Sequence, residues 1–221
     1  MEKIKKIAIL GATGGCVDIL DTINYINSAL PKPKYECIGF LDDNPSLRDK
    51  KVLNIKVLGP FNLAGKLSSD SYFVTGIGSS CNFWKKGAII YKLDLPLNRF
   101  ETIVHPTANL SSTARLGLGS VIYQHVTITR NVQIGNHVLV LPSAVVSHDD
   151  IIGDYTIINA GVCISGEVKV GKSCYIGTNS AIKENVIIGD YCLIGMGSVV
   201  LHDIPDNSVV VGNPATFLRR T

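Results

Sequence analysis

Residues 121–170 read VIYQHVTITRNVQIGNHVLVLPSAVVSHDDIIGDYTIINAGVCISGEVKV, and an aliphatic residue recurs in them at every sixth position. The stride of six extends beyond this stretch in both directions. Every position on it is Leu, Ile or Val: Leu110, Leu116, Ile122, Ile128, Ile134, Val140, Val146, Ile152, Ile158, Ile164, Val170, Ile176, Ile182, Ile188, Ile194 and Val200. Neither a helix with a period of 3.6 nor an alternating strand produces this pattern.

A second period of eighteen lies on top of the first, because glycines recur at Gly117, Gly135, Gly153, Gly171 and Gly189. Three short strands therefore make one triangular coil, and successive coils stack at a strand spacing of about 4.8 Å. The aliphatic residue of each hexapeptide points inward. The residue four places later is small or β-branched almost throughout, and Asp150 is the only charged residue there. We therefore predict a parallel β-helix of hexapeptide repeats over residues 104–221.

The chain has a different character over residues 1–103, where apolar runs alternate with turns and helical stretches. This alternation predicts a small α/β, Rossmann-like domain with a parallel sheet. A glycine-rich turn, GATGG at Gly11–Gly15, follows the first strand. The predicted strands are Lys5–Leu10, Tyr35–Leu41, Val52–Leu58, Tyr72–Thr75 and Phe100–Val104, and the predicted helices end at Pro31 and cover Ser79–Leu93.

Composition restricts the class of protein. The 221 residues carry a formal net charge of +3 with 18% charged and 46% hydrophobic residues, which is typical of a globular protein and gives no reason to expect nucleic acid or a membrane as partner. The basic N-terminus runs straight into a strand and a glycine turn, so we expect a cytoplasmic protein without a signal peptide. The six cysteines form no CxxC pair, which disfavours both disulfides and a zinc site.

The histidines of the coils narrow the chemistry further. In the hexapeptide frame, His125, His137 and His148 fall on three different sides of the prism and cannot meet within one chain. We therefore expect no metal, although a zinc site assembled across subunits stays open.

His148 stands out because Asp149 follows it and Gly166 lies one coil further along. A carboxylate can orient an imidazole and raise its basicity, and a glycine leaves a notch with a backbone N–H beside the ring. A base next to such an amide suits acyl transfer, in which the base takes a proton and the amide stabilises the oxyanion. The alternative is an ordinary surface histidine.

The chain resembles the bacterial sugar-nucleotide acetyltransferases of the left-handed β-helix superfamily, over essentially its full length. These include the N-acetyltransferases of bacillosamine, perosamine and 4-amino-4,6-dideoxyglucose pathways and the related sialic-acid O-acetyltransferases. The motifs that carry the resemblance are GATGG, GFLDD at 39–43, TGIGS at 75–79, VHPTANLSSTARLG at 104–117, SHDDIIGD at 147–154 and VVVGNPATFLRR at 209–220.

The resemblance implies a homotrimer of surface-polysaccharide biosynthesis that binds acetyl-CoA in a groove between subunits and acetylates the amine of a nucleotide-linked amino sugar. It makes His148 the general base, Asp149 its acidic helper and Gly166 the oxyanion donor. It places acetyl-CoA contacts at Gly166, Ile157, Asn159 and Met196. Ile157 departs from the family, since many relatives have histidine there, and relatives often have glycine in place of Met196.

The resemblance also implies that the first domain holds the nucleotide sugar. Glycine-rich turns at a helix N-terminus favour phosphate, and an acidic strand end suits a ribose or base. The candidate residues are Gly11, Thr13, Gly14, Gly15, Asp42, Asp43 and Gly78. NAD is disfavoured, because the GxGxxG pattern is incomplete and no acidic residue lies about twenty positions further on.

Three alternatives remain beside amine N-acetylation. The first is O-acetylation of sialic acid or another glycan hydroxyl. The second is a nucleotide-binding module without catalysis. The third is zinc-dependent hydration of carbon dioxide, which the fold also supports in other proteins.

Overall fold

The computed structural model describes residues 3–221 and confirms the predicted architecture. An α/β unit forms the first part and a three-sided stack of short parallel strands forms the second. The α/β unit contains one sheet in the order β3-β4-β2-β1-β5, which is parallel except at the β3 edge. Its strands are Lys5–Leu10 (β1), Tyr35–Leu41 (β2), Lys51–Val52 (β3), Ile55–Gly59 (β4) and Ser71–Thr75 (β5).

Two α-helices accompany this sheet, Gly15–Ser28 (α1) and Lys86–Tyr91 (α2). Helix α1 buries Ile19, Ile23 and Ile26 against the sheet, as its periodicity predicts. Short 3₁₀ turns cover Pro45–Leu47, Phe61–Lys66, Phe83–Lys85 and Leu97–Arg99.

Four predicted elements of this unit differ in the structure. The strand expected at Phe100–Val104 is limited to Ile103–Val104, and it pairs with Val121–Ile122 of the coils instead of joining the α/β sheet. The strand expected at Val52–Leu58 is the hairpin of β3 and β4, because Leu53 and Asn54 both adopt positive φ and turn the chain. The helix expected over Ser79–Leu93 is shorter, since the Asn82 side chain accepts the Ser79 N–H at 2.7 Å and holds a turn there instead. Helix α1 ends three residues before Pro31.

The coils consist of two-residue strands at six-residue intervals, and they form three parallel sheets. The strands are Ile103–Val104 (β6), Asn109–Leu110 (β7), Arg115–Leu116 (β8), Val121–Ile122 (β9), Thr127–Ile128 (β10), Gln133–Ile134 (β11), Leu139–Val140 (β12), Val145–Val146 (β13), Ile151–Ile152 (β14), Ile157–Ile158 (β15), Cys163–Ile164 (β16), Lys169–Val170 (β17), Tyr175–Ile176 (β18), Ala181–Ile182 (β19), Ile187–Ile188 (β20), Leu193–Ile194 (β21) and Val199–Val200 (β22). Strands Ser208–Val211 (β23) and Thr216–Arg220 (β24) close one sheet.

The predicted inward positions form the core of the prism. The aliphatic residue of each hexapeptide from Ile122 to Val200 is buried, and Cys174 and Cys192 are completely buried between coils. Asp150 is also completely buried, at 0% exposure. The hexapeptide frame places Asp150 at an inward corner, and the structure buries its side chain there.

The α/β unit packs on only one of the three sheets, which we call the docking face: strands β6, β9, β12, β15, β18, β21, β23 and β24. Outward side chains of this face, including Tyr123, Leu139 and Ile157, join the core cluster that contains β1 and α1. The docking face therefore fixes where the α/β unit sits relative to each edge of the prism. Within residues 3–221, no helix has the length and apolar character needed to cross a membrane.

A buried lysine lies at this junction. Lys86 is 0% exposed, and its Nζ donates to the carbonyl of His137 at 2.6 Å. Desolvation lowers the pKa of Lys86 from 10.5 to about 7. Between these values the unfolded chain binds more protons than the folded chain, so the stability attributable to Lys86 rises with pH.

We therefore expect the melting temperature of the wild type, relative to that of Lys86→Met, to rise by roughly 5 °C between pH 7 and pH 10. Methionine fills the same space without a titrating group, so the difference between the two proteins isolates Lys86. If the difference in melting temperature between the two proteins stays constant from pH 7 to pH 10, the Lys86 amine does not change its charge on unfolding.

Candidate active site

The strongest cluster of chemical groups lies on the edge of the prism between β13 and β14, which we call the His148 edge. This edge consists of the turns at 130–131, 148–149 and 166–167. It is opposite the docking face, because the three sheets enclose a triangle. His125 lies on a second edge and His137 on the third, so the predicted separation of the three histidines is confirmed.

His148 and Asp149 form a direct pair. His148 Nδ1 lies 2.9 Å from Asp149 Oδ2, and the imidazole side chain is 45% exposed. With a proton on Nδ1 donated to the carboxylate, Nε2 carries the free lone pair that a base needs.

The preceding coil holds Asp149 in place. Asn131 Nδ2 donates to Asp149 Oδ1 at 2.9 Å, and Arg130 Nη1 lies 3.1 Å from Oδ2. These hydrogen bonds, from Asn131 first and then from His148, hold the pKa of Asp149 below its usual value. The carboxylate is therefore ionised at neutral pH and keeps the imidazole in one orientation.

Gly166 forms the predicted notch beneath the ring. A Cβ at this position would lie 2.6 Å from His148 Nε2, so the ring occupies the space where any other residue would have its side chain. Gly166 is buried under the imidazole. Its N–H has no acceptor within residues 3–221, although the N–H groups of Ser165 and Glu167 both donate to backbone carbonyls. Arg130, His148 and Glu184, which stand at the same turn position in the neighbouring coils, have no acceptor for their N–H among the described residues either. The feature particular to Gly166 is therefore its missing side chain beneath the imidazole.

A second site lies between α1 and the coils. It is a cavity of about 540 Å³, and its lining includes Gly15, Gly78, His105, Ile157 and Asn159. Two acidic residues of α1, Asp18 and Asp21, also line it. The cavity lies beside the docking face and therefore on the far side of the prism from His148 of the same chain.

The predicted acetyl-CoA contacts separate between these two places. Gly166 lies on the His148 edge, whereas Ile157 and Asn159 line the cavity. Ile157 packs its Cδ1 against Gly78, and Asn159 Nδ2 donates to the Ile176 carbonyl at 2.7 Å. Met196 is 80% exposed on the edge between β21 and β22.

The predicted nucleotide residues follow the carboxyl ends of β1, β2 and β5. Gly11 is buried with a φ of 97°, whereas Thr13, Gly14 and Gly15 are exposed at the start of α1. Asp42 and Asp43 directly follow β2, and Gly78 lies three residues after β5.

The two aspartates both have structural hydrogen bonds. Asp42 Oδ2 accepts the Ala12 N–H at 2.9 Å and Oδ1 accepts the Asn44 N–H at 2.8 Å, so Asp42 ties the glycine turn to the end of β2. Asp43 Oδ1 accepts the Phe61 N–H at 2.8 Å. Their predicted contact with a nucleotide remains a prediction.

Comparison with known proteins agrees with both parts of the fold. Residues 6–83 match the PglD N-terminal domain family, and residues 167–202 match the bacterial transferase hexapeptide (six repeats) family. The acetyltransferase domain of PglB from Neisseria gonorrhoeae FA1090 is 27% identical with a TM-score of 0.85, over 97% of this chain and 100% of that domain. Both parts of the chain are therefore similar to hexapeptide-repeat acetyltransferases.

Two other solved structures show the same fold. WeeI from Acinetobacter baumannii AYE is 25% identical with a TM-score of 0.80, over 96% of this chain and 99% of that one. PerB from Caulobacter crescentus, solved in complex with CoA and GDP-perosamine, is 24% identical with a TM-score of 0.81, over 98% and 99% of the two chains. The PglB domain has also been solved in complex with acetyl coenzyme A. No curated protein sequence matches this chain significantly.

Sequence reasoning missed two residues of this acetyltransferase's His148 edge, Arg130 and Asn131. Both lie eighteen residues before the His148–Asp149 pair. The coil period of eighteen is a sufficient signal for them, because it places residues 130 and 131 beside residues 148 and 149.

Proposed function

We propose that this enzyme transfers the acetyl group of acetyl-CoA to the amine of a nucleotide-linked 4-amino-4,6-dideoxy sugar. The observation that carries the proposal is the position of the His148 ring, which is held by Asp149 and occupies the space beside Gly166 where any other residue would have its side chain. A base and an oxyanion donor side by side are what acyl transfer to a nucleophile requires.

The chemistry uses few protein groups. The amine attacks the thioester carbon, and His148 Nε2 accepts the proton that the amine loses as the C–N bond forms. The Gly166 N–H donates to the oxygen that becomes negative. As the C–S bond breaks, the proton passes from His148 to the departing sulfur, so CoA leaves as a free thiol and the imidazole returns to its neutral form.

In this proposal the two parts of the chain have different roles. Residues 1–103 hold the nucleotide sugar at the glycine turn and in the adjoining cavity, and residues 104–221 carry the acetyl-transfer site. The exposed amides at the start of α1 suit a diphosphate. Asp18 and Asp21 in the cavity lining favour a cationic amino sugar over a neutral one.

A second copy of the chain completes the site. The cavity and the His148 edge lie on opposite sides of one prism, so a sugar held by one chain reaches the imidazole of a neighbour. We propose a homotrimer, in which three such contacts close on themselves. Acetyl-CoA would then lie between Gly166 of one subunit and Met196 of the next. We place the enzyme in the cytoplasm, in a pathway of surface polysaccharide synthesis.

A thiol-release assay tests this function. Acetyl-CoA and the protein are mixed with UDP-, GDP- or dTDP-linked 4-amino-4,6-dideoxy sugars, and each is paired with the corresponding 4-hydroxy sugar nucleotide. We expect release with at least one amine and none with its hydroxyl partner. Release with hydroxyl acceptors alone, or with sialic acid, would identify an O-acetyltransferase, and binding without release would identify a nucleotide-binding module.

A further inference from the structure

Asp150 is the only charged residue at an inward corner position of the coils, and it directly follows the His148–Asp149 pair. Its side chain is completely buried, and the carboxylate that hydrogen-bonds to the imidazole is that of Asp149. Asp150 Oδ1 accepts the Val168 N–H at 2.8 Å, whereas Oδ2 is buried without a hydrogen-bond partner within residues 3–221. Such an orphan oxygen is costly if the carboxylate is ionised.

Equivalent corners show what this position normally does. Ser120 Oγ accepts the Val138 N–H and donates to the Gly135 carbonyl, which lies fifteen residues after it. Thr156 Oγ1 likewise accepts the Cys174 N–H and donates to the Gly171 carbonyl. Ser120 and Thr156 therefore show that a polar residue at an inward corner can make one bond as an acceptor and one as a donor, whereas Ser180 donates to the Gly177 carbonyl and Ser198 accepts the Gly212 N–H.

An ionised Asp150 could make only the first of these bonds, since a carboxylate has no proton to donate. The same fifteen-residue offset gives Asp150 the carbonyl of Ser165 as the acceptor for its second bond. A protonated Oδ2 would reproduce the complete pattern of Ser120 and Thr156. Burial, the largest influence, outweighs the backbone N–H groups of Val168 and Ser147 and raises the pKa of Asp150 from 3.8 to about 7, which agrees with this state.

The hydrogen bonds of Asp150 affect the distance between His148, the proposed base, and the Gly166 N–H, the proposed oxyanion donor. The His148 carbonyl accepts the Glu167 N–H at 3.0 Å, and Asp150 accepts the next N–H, that of Val168. The His148 carbonyl and the Asp150 side chain thus hold Glu167 and Val168, the two residues that follow Gly166. Loss of the Asp150 contact would free the Gly166 turn to shift beneath the ring.

We propose that Asp150 is a positioning residue for acetyl transfer, acting as a buried neutral acid that fixes the Gly166 turn beneath His148. This inference rests on the proposed function of His148. The titratable and charged groups that face Asp150 are His148 and Asp149, and both lie on its own turn.

The test compares kcat, KM and melting temperature for Asp150→Ala, Asp150→Asn and Asp150→Ser with Thr156→Ala as the matched control. Thr156→Ala removes the same kind of buried contact in the same coil but on another edge. We expect Asp150→Ala to lower kcat by roughly 10- to 100-fold with little change in KM for acetyl-CoA, as misplacement of reacting groups does. Asparagine and serine both supply an acceptor and a donor and should restore most of kcat.

Two results would overturn the proposal. One is a kcat for Asp150→Ala that matches that of Thr156→Ala at equal loss of melting temperature, which would leave Asp150 a purely structural residue. The other is an Asp150→Asn enzyme as slow as Asp150→Ala, which would mean that the charge is required.

A measurement that needs no activity separates this proposal from the role of His148. The infrared difference spectrum of wild type minus Asp150→Asn at pH 6 should show the C=O stretch of a protonated carboxylic acid, and a carboxylate band there would contradict the neutral state. Full activity of His148→Ala would remove the base without altering this band.

Discussion

Replacement of His148 by alanine is expected to lower kcat by about 10²–10⁴-fold, the usual contribution of a general base. KM for both substrates should change much less, because the imidazole takes its proton only as the C–N bond forms. The fold should survive, since the side chain is half-exposed and its only recorded side-chain partner among the described residues is Asp149. Steady-state thiol release over a range of both substrates measures the effect.

His202→Ala is the matched control for that experiment. His202 lies on the same edge of the prism, fifty-four residues and therefore three coil periods after His148, and it is exposed. Its kcat should stay within about twofold of wild type. Equal activity of the two variants would mean that this edge does not supply the base.

Replacement of Gly166 by alanine is expected to lower kcat by about 10²-fold, although it removes no chemical group. The added methyl would lie 2.6 Å from His148 Nε2, well inside van der Waals contact, so the ring must leave its place against Gly166. A displacement of about 1 Å in reacting groups is sufficient for a loss of this size. The measurement is kcat together with a crystal structure of the variant, which should show the imidazole rotated away from Asp149.

Gly65→Ala provides the comparison, because a methyl there meets no atom within 4 Å and no positive φ is involved. This variant should be as active and as stable as wild type. An unimpaired Gly166→Ala enzyme would show that the ring and the amide do not have to be adjacent.

The coils could be predicted almost completely from the sequence, because a strict period of six leaves only one way to place Ile152, Ile158 and Ile164 inside a prism. The same period placed Gly166 one coil beyond His148, and the structure brings the two together. Residues eighteen positions apart in a β-helix are thus neighbours in space, so contacts between coils can be predicted from residue numbers.

Features that do not repeat could not be predicted in this way. The choice of docking face depends on packing of Tyr123, Leu139 and Ile157 against α1, and no local pattern encodes a contact between such distant segments. The hairpin at Leu53 and Asn54 depends on two positive φ values, which the high β propensity of this run of residues gives no reason to expect. The separation of Ile157 from His148, in contrast, follows from the period of eighteen alone, because nine residues are half a coil.

A crystal structure of this protein with CoA tests the central claim most directly, which is that acetyl transfer takes place on the His148 edge. We predict that the thiol sulfur lies beside the Gly166 N–H, on the Nε2 side of the imidazole. Cavity residues of a neighbouring copy should face the same sulfur. A sulfur bound far from His148, with water on the Gly166 amide, would contradict the account.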